Sequence, residues 1–338
     1  MLETGVGSKG PEEGLLKGVL GRLAAEQAHE VVEDLLAVVV VEPLEGWARH
    51  GLHHPLKRPG PVSCETGAMR IGVVGHVEWV QFLRVPHVPA PGEIVQASSG
   101  WEEPAGGGAV AAVEIVRLIG SATLFSALGD DAWGHRAKAA LERLGVRVEA
   151  AFRPEPQRRA VTFTDEDGER TITLLGEKLR PRIGEPLPWE ELAAFDGIYF
   201  TAGDPDVLRA ARQARVLVAT ARELPTLLAA PGVELDAVVS SANDPSEQYA
   251  GELPQAPRFV LRTNGAAGGS YEPGHGRWKA APLPGALVDS YGAGDSFAAG
   301  VTVGLAEGRP IAAALALGAE SAARALTRRG AHGAPTET

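Results

Sequence analysis

The strongest constraint on the fold is the alternation, from residue 69 onward, of short apolar runs with helical patterns. Residues 122–127 form an apolar run, residues 135–144 follow with a helical pattern, and residues 146–150 are apolar again. Further strands are expected at residues 197–201, 216–220, 237–240 and 259–263. This order predicts a three-layer α/β/α domain with a mostly parallel central sheet.

Two regions depart from this order because polar and apolar residues alternate singly in them. They are residues 94–98 and residues 160–175, and the second is expected to form a hairpin turning at Asp167 and Gly168. We therefore predict a small antiparallel β lid, with lid strands around residues 78–100 and 158–176. Such a sheet beside a parallel one often closes over a substrate.

The first 68 residues differ in character from the rest of the chain. A helical pattern between Leu15 and Leu35 is followed by a stretch rich in His, Pro and Gly, and Met69 directly precedes a strand-like segment. We expect an N-terminal extension that is disordered or lies upstream of a natural start at Met69. A genuine helical extension or oligomerisation arm is the alternative. The main domain is expected over residues 69–330, with a tail at 331–338.

Charge and cysteine content exclude several classes of partner. The formal net charge is -11 and the acidic residues are spread along the chain, which argues against nucleic acid or an anionic membrane surface. The single cysteine, Cys64, cannot form an internal disulfide, so a cytoplasmic setting is expected. The longest apolar run has seven residues, against about 20 for a membrane span.

The segment from Asp289 to Asp295 carries the clearest chemistry. It is expected to follow a short strand ending at residue 288 and to start a helix of small residues. Gly292 and Gly294 allow backbone angles that a Cβ resists, so the N–H groups of residues 292–295 can converge on an anion. Asp295 beside that anion would accept a proton from an attacking hydroxyl. The alternative is a simple turn with Asp295 as the helix N-cap.

Five signals in order resemble the ribokinase-like, or PfkB, family of carbohydrate and nucleoside kinases. They are the strand at 71–75 with Val88–Glu93, the glycine segment 105–109 leading into a helix, the turn at 128–134, Leu144–Val146, and Asp289–Asp295. The resemblance covers Met69 to about residue 330. It implies ATP-dependent phosphorylation of a substrate alcohol by one α/β/α domain with a β lid.

The resemblance also implies roles for individual residues. Asp295 would be the general base, with the backbone of Gly292, Ala293 and Gly294 as the anion hole. The nucleotide-binding set would comprise Thr263, Gly265, Gly268, Asp289 and Lys178. An ordinary turn at 263–268 and a solvated Lys178 are the alternatives.

Magnesium is expected near Asp244 and Glu247, where the family has an Asn-x-x-Glu motif. The two side chains would share one face of a helical turn and hold a hydrated Mg²⁺. The competing interpretation is that Asp244 caps a helix.

The sugar-binding positions depart from the family pattern. Glu78 and Val80 stand where the family commonly has Asn and Asp, and Val110 replaces an Asn. Candidate substrate residues are Glu78, Gln81, Gly106, Gly107, Arg159 and Arg170, with Glu103 as a further possibility. Trp79 and Trp101 would stack on a sugar or base, or seal the lid.

The leading hypothesis is an ATP-dependent carbohydrate kinase acting on a small molecule, a sugar or a nucleoside. A nucleoside kinase is one alternative, and a non-catalytic regulatory protein that binds a sugar or nucleotide is the other. A homodimer through the open lid sheet is expected as a possible assembly.

Overall fold

The computed structural model describes residues 69–165 and 170–333. Three segments lie outside this part of the chain: the N-terminal segment, the turn at Asp167 and Gly168, and the last five residues. The expected extension, hairpin turn and C-terminal end therefore stay predictions.

The central layer of the described residues is a nine-stranded sheet with the order β13-β12-β11-β10-β9-β8-β1-β4-β5. Neighbours from β11 to β5 pair in parallel, while β12 and β13 are antiparallel additions at one edge. The strands are β1 (Ile71–Val74), β4 (Ala122–Gly129), β5 (Val146–Arg153), β8 (Gly197–Phe200), β9 (Val216–Thr220), β10 (Ala237–Ser241), β11 (Phe259–Thr263), β12 (Gly269–Glu272) and β13 (Gly276–Trp278).

Helices cover both faces of this sheet. The helices are α1 (Gly107–Ile119), α2 (Ala132–Arg143), α3 (Pro205–Ala211), α4 (Leu224–Leu228), α5 (Ala293–Ala306) and α6 (Ile311–Leu326), with short 3-10 turns at Trp189–Ala194, Ala221–Glu223, Pro245–Glu247 and Gly265–Ala267. Alternate strand residues divide between the two cores. Val73 and Leu124 face α1, α2, α5 and α6, whereas Val74 and Phe125 face α3, α4 and the turn at Trp189–Ala194. This arrangement confirms the predicted three-layer fold.

A second sheet of four strands forms the lid, in the order β3-β2-β6-β7. The strands are β2 (Glu78–Arg84), β3 (Ser99–Ala105), β6 (Arg159–Thr164) and β7 (Arg170–Leu175). Two antiparallel hairpins, β2/β3 and β6/β7, are joined by a parallel pair, β2/β6. The lid is therefore mixed rather than purely antiparallel.

Three boundaries differ from the sequence expectations. Residues 94–98 form no strand, and Ile94 is 98 % exposed, because β2 pairs instead with Ser99–Ala105. Residues 286–288 form no strand either, since the Val288 amide donates to the Leu326 carbonyl at the end of α6. Ala331 is buried against the lid, so the domain extends past residue 330.

The carboxyl ends of the parallel strands converge where the sheet order reverses. From β1 the chain continues to β4 on one side and later to β8 on the other. Such a reversal point leaves a crevice at the carboxyl ends of the strands, where α/β proteins bind ligands. His76 follows β1, and Thr201 follows β8, so both lie at this crevice.

Candidate active site

The first turn of α5 contains Asp295 as its third residue. The helix begins at Ala293 after Gly292, which takes the left-handed conformation with φ 72° and provides no side-chain cap. Asp295 is therefore not the helix N-cap, and that alternative is wrong. Gly292 needs its positive φ, as expected. Gly294 lies within the helix and needs no special backbone angle.

The carboxylate of Asp295 lies beside the glycine turn that starts α1. A Cβ added to Gly107 would be 2.9 Å from Asp295 Oδ1 and 2.6 Å from Thr201 Oγ1. The Tyr199 hydroxyl donates a hydrogen bond to Asp295 Oδ1 at 3.2 Å. Thus α5 and the end of β8 bring Asp295, Tyr199 and Thr201 together beside the backbone of Gly107 at the start of α1.

Burial sets the electrostatics of this carboxylate. It raises the pKa of Asp295 to about 6, and the charge of Glu247 adds to the effect while Arg222 opposes it. Burial also raises the pKa of Tyr199, which therefore remains a hydroxyl donor at neutral pH. A carboxylate with this pKa can accept a proton near neutrality.

The acidic pair predicted for magnesium contacts an arginine. Arg222 donates to Asp244 Oδ2 at 3.0 Å and, through Nε, to Glu247 Oε1 at 2.8 Å. Asp244 Oδ1 also accepts from the Ser246 amide at 2.9 Å, so it caps the 3-10 turn. Within the described ranges, no group of three or more His, Cys, Asp or Glu residues could hold a metal ion.

Lys178 lies in an ion pair rather than in solvent. Its Nζ is 3.1 Å from Glu223 Oε1, and the side chain is 15 % exposed. Arg180 contacts the same carboxylate, with Nε 3.3 Å from Glu223 Oε2. The charge of Lys178 contributes to the pKa of both His76 and Asp295, so this lysine lies near the crevice.

The turn predicted to bind the nucleotide, residues 263–268, makes contacts within the protein that account for its threonine and glycines. Thr263 Oγ1 donates to the Ser240 carbonyl at 3.1 Å. Gly268 has φ 82°, and a Cβ there would be 2.2 Å from the Trp278 carbonyl. Gly265 also has a positive φ, of 51°, and begins the 3-10 turn between β11 and β12. Packing of β13 therefore already requires glycine at 268, as in an ordinary turn between strands.

Asp289 braces the loop that precedes α5. Its Oδ1 accepts from the Tyr291 amide at 2.8 Å, and its Oδ2 accepts from the Gly330 amide at 3.2 Å. The buried carboxylate thus has two backbone partners within the protein, which favours a positioning role over nucleotide contact.

Register divides the predicted lid residues between two faces. Val80 and Phe82 lie on the inner face, packed with Val110 of α1 and with Ala331. Glu78 shares this inner side, because alternate residues of a strand point the same way. Gln81 belongs to the opposite, outer face and is exposed.

The two predicted lid arginines also separate. Arg159 pairs with Trp79 in register and lies over the Trp133 ring, 5.5 Å from its centroid, on the outer face. Arg170 lies on the inner side over Tyr291, 5.6 Å from the ring centroid. The structure therefore brings Arg170, but neither Gln81 nor Arg159, to the inner face.

The tryptophans and Glu103 serve packing. Trp101 stacks on Phe82 with ring centroids 5.0 Å apart, and Trp79 lies 5.9 Å from Trp133. Glu103 Oε1 accepts from the Trp101 indole and from the Ala331 amide, and burial raises its pKa. These contacts match the lid-sealing alternative for the tryptophans.

Sequence reasoning missed several polar residues of the crevice. They are His76, Arg158, Tyr199, Thr201 and Arg222. His76 directly follows the predicted strand at 71–75, and Thr201 is the last residue of the one predicted at 197–201, so their positions at strand ends were a usable signal. Arg158 required the register of β6, which places the neighbouring arginine on the other face.

The fold and the crevice define an α/β/α protein that binds ligands at the carboxyl ends of its parallel strands, and comparison with known proteins identifies the family. A model of the pfkB family of carbohydrate kinases matches residues 69–205 and 186–338. The chain belongs to this family, which confirms the predicted enzyme class, an ATP-dependent carbohydrate kinase.

Individual relatives agree with this assignment. The ATP-dependent ribose-1-phosphate kinase of Halopiger xanaduensis is 30 % identical over 292 residues, covering 79 % of this chain and 95 % of that protein. A ribokinase from Cryptococcus neoformans in complex with ADP has TM-score 0.61 and 24 % identity, with 78 % and 96 % of the two chains covered. An adenosine kinase from Sinorhizobium meliloti has TM-score 0.63 and 18 % identity, covering 80 % and 97 %.

None of the helices in the described ranges combines the length and the apolar character that crossing a membrane requires.

Proposed function

We propose that the enzyme transfers the γ-phosphoryl group of ATP to a sugar hydroxyl, with Asp295 as the general base. The observation that carries the proposal is the position of the Asp295 carboxylate between Tyr199 and the glycine turn at Gly107. A hydroxyl lying over that turn would have its proton within reach of Asp295. The pKa of about 6 leaves the carboxylate ionised at neutral pH and still basic enough to accept the proton.

The anion hole of this proposal is the backbone of Gly292, Ala293 and Gly294. The first N–H groups of a helix have no partner inside the helix, and the helix dipole favours negative charge there. A Cβ at Gly294 would meet nothing within 4 Å among the described residues, so they leave space open beside this turn. These features support stabilisation of the transferring phosphoryl group.

Magnesium is proposed to act through water at Asp244 and Glu247. Carboxylate oxygens suit Mg²⁺, which usually keeps several waters and takes other ligands from nucleotide phosphates. The pairing of both carboxylates with Arg222 does not fit direct coordination by this pair. Arg222 is the group that these two carboxylates hold in place.

The nucleotide is proposed to lie near Lys178 and the turn containing Thr263, Gly265 and Gly268. The support is the charge of Lys178, which reaches the crevice although Glu223 partly neutralises it. A lysine shared in this way can move to a phosphate at a modest electrostatic cost, since Arg180 also contacts Glu223.

The acceptor is proposed to be a sugar, and ribose 1-phosphate is the first compound to try. The support is the Halopiger relative, whose name specifies that substrate. Nucleosides remain the alternative acceptors and belong in the same panel.

A homodimer through the lid is proposed as the assembly. β7 is an edge strand of the lid sheet, and Ile172, Leu174 and Leu175 on it are exposed. Apolar edge strands commonly pair with another chain. Sedimentation at several protein concentrations measures this association.

Asp295→Asn tests the proposed base. We expect kcat to fall by about a thousandfold with any accepted sugar, while the affinity for ATP stays within a few-fold, because the amide cannot accept the proton. ADP release and equilibrium ATP binding measure the two quantities. Asp206→Asn is the matched control, because Asp206 also lies in a first helical turn but is exposed. Unchanged turnover in Asp295→Asn would remove Asp295 from the mechanism.

A further inference from the structure

A buried polar cluster lies at the root of the lid, beside the glycine turn that starts α1. We call it the lid-root cluster, and it consists of His76, Glu78 and Arg158. Arg158 Nε lies 3.1 Å from Glu78 Oε1, and His76 Nε2 lies 3.6 Å from the same oxygen. The side chains are 9, 9 and 12 % exposed, respectively.

The backbone of the lid root holds this cluster rigidly. The Arg158 carbonyl accepts from the Trp79 amide at 3.0 Å. The preceding Gln157 is buried, and its side-chain amide donates to the Val77 carbonyl at 2.8 Å. The backbone N–H of Gln157 donates to Asp131 Oδ2 at 2.9 Å. These hydrogen bonds fix the backbone on both sides of Arg158, and its side chain lies against Glu78.

The hydrogen bonding of the cluster is incomplete within the described part of the chain. His76 Nδ1 and Arg158 Nε are buried and have no hydrogen-bond partner there. The contact of Arg158 with Glu78 is thus an ion pair without good hydrogen-bond geometry. Buried polar groups without partners are costly, so a ligand group that supplied their hydrogen bonds would be stabilised here.

Four cations act on the cluster, and three of them are shared with nearby carboxylates. Burial lowers the pKa of His76 well below the ordinary value, and the charges of Lys178, Arg158, Arg180 and Arg222 add to this effect, so the ring is neutral. Glu78 is the acid of the cluster, and burial raises its pKa, with Arg158 and Lys178 opposing the shift. Lys178 and Arg180 are already paired with Glu223, and Arg222 with Asp244 and Glu247. Arg158 is paired only with Glu78, whose pKa is raised, so Arg158 is the cation of this set that an entering anion would meet most directly.

The distance from the cluster to the proposed base suits a single sugar ring. A Cβ at Gly106 would lie 3.2 Å from Glu78 Cγ and 3.1 Å from His76 Cδ2, whereas a Cβ at the next residue, Gly107, would lie 2.9 Å from Asp295 Oδ1. Consecutive Cα atoms are about 3.8 Å apart. A pentose lying across the two glycines could therefore present one hydroxyl to Asp295 and its far substituent to Arg158.

We infer that Arg158 determines acceptor specificity by binding a phosphate group carried by the sugar, with the free nitrogen of His76 as a second polar contact. This inference rests on the proposed kinase function and deepens it. A guanidinium matches phosphate oxygens in geometry and charge, which an ammonium or amide does not. Glu78 then accepts a ring hydroxyl, and Arg158 exchanges a poorly aligned contact for two charge-assisted hydrogen bonds.

The chain offers a matched pair of variants, Arg158→Gln and Arg159→Gln. The two arginines are adjacent, but Arg159 lies over Trp133 on the outer face of the lid. Each purified full-length variant is titrated calorimetrically with ribose 1-phosphate and, separately, with ribose. ADP release from ATP with either sugar is measured in parallel.

We expect Arg158→Gln to raise the Kd for ribose 1-phosphate about a hundredfold, as loss of charged hydrogen bonds predicts, and to change the Kd for ribose far less. Arg159→Gln should bind both as the wild type does. The double variant Glu78→Gln/Arg158→Gln removes the unpaired acid and guards against misfolding, and it should show the same loss of phosphate selectivity.

Three results would overturn the inference: equal weakening for both sugars, no weakening for ribose 1-phosphate, or a wild type that binds ribose as tightly as ribose 1-phosphate. Each of these results would still leave the proposed kinase function in place, because the enzyme could phosphorylate unphosphorylated sugars. Conversely, the variants could show selective binding of ribose 1-phosphate through Arg158 while no acceptor causes release of ADP from ATP. That result would refute the proposed kinase function and leave the phosphate contact of Arg158 in place.

Discussion

Two glycine-rich helix starts face each other across the crevice, and they contain glycine for different reasons. At the start of α1, a Cβ on Gly107 or Gly108 would come within 3.0 Å of protein atoms, so the neighbouring protein requires glycine there. At the start of α5, Gly292 is required by its φ of 72° and by Val110, whereas Gly294 has open space beside it. The first turn is shaped by packing, and the second leaves room for a ligand.

Of the changes that test this difference between the two helix starts, Gly107→Ala is expected to have the largest effect. The new Cβ would displace Thr201 or Asp295, so we expect a loss of about 1 to 3 kcal/mol in the free energy of unfolding, as for other overpacked sites. Displacement of the base should also lower kcat by about a hundredfold. Urea unfolding and ADP release measure the two. Wild-type values for both would show that the turns are less tightly packed together than described.

A pH profile tests whether the base lies where the two turns meet. Only the ionised Asp295 can accept a proton, so kcat/KM should rise with pH through about 6 and level off above it. One pH unit below the inflection, the rate should be about a tenth of the plateau. Initial rates between pH 4.5 and 8.5 measure this. An inflection near 4 would mean that the carboxylate is not buried between the turns.

The smallest effect, and the most discriminating, is expected from Gly294→Ala. Alanine is better than glycine inside a helix by roughly 0.5–1 kcal/mol, and no protein atom opposes it here, so stability should rise. The methyl group would nevertheless crowd a phosphoryl group beside the turn, and kcat should fall several-fold.

Gly184→Ala is the control for Gly294→Ala, since a Cβ at Gly184 also meets nothing within 4 Å among the described residues, and Gly184 is exposed in a turn outside any helix. It should leave activity unchanged. If Gly294→Ala also leaves kcat unchanged, the open space beside α5 does not receive the phosphoryl group.

Local sequence sufficed where a structure depends on neighbouring residues in the chain. The parallel strands β8 to β11 occur where the apolar runs predict them, and the helix after the glycine turn at 292 begins as expected. These elements follow from hydrophobic pattern and from glycine conformations, both of which can be read within a short window.

Tertiary pairing decided the rest. Residues 94–98 alternate like a strand, yet β2 takes the polar segment Ser99–Ala105 as its partner because that segment reaches it in register. A shift of one residue moves a side chain to the other face of a sheet, so the sequence could not distinguish Arg158 from Arg159. The pairing of Arg222 with Asp244 and Glu247 joins loops after two different strands and has no local signal.

The carboxylate of Asp289 joins two parts of the chain that are far apart in sequence, the loop before α5 and the turn at Gly330. The same turn holds the lid, through the Ala331 amide on Glu103 and the His332 ring on the Pro104 carbonyl. One short segment therefore ties the loop before α5 to strand β3, so these parts of the lid and that loop are connected through hydrogen bonds. Substitutions at residues 330–332 should consequently change lid closure and phosphoryl transfer together, whereas β6 and β7 lie outside this connection.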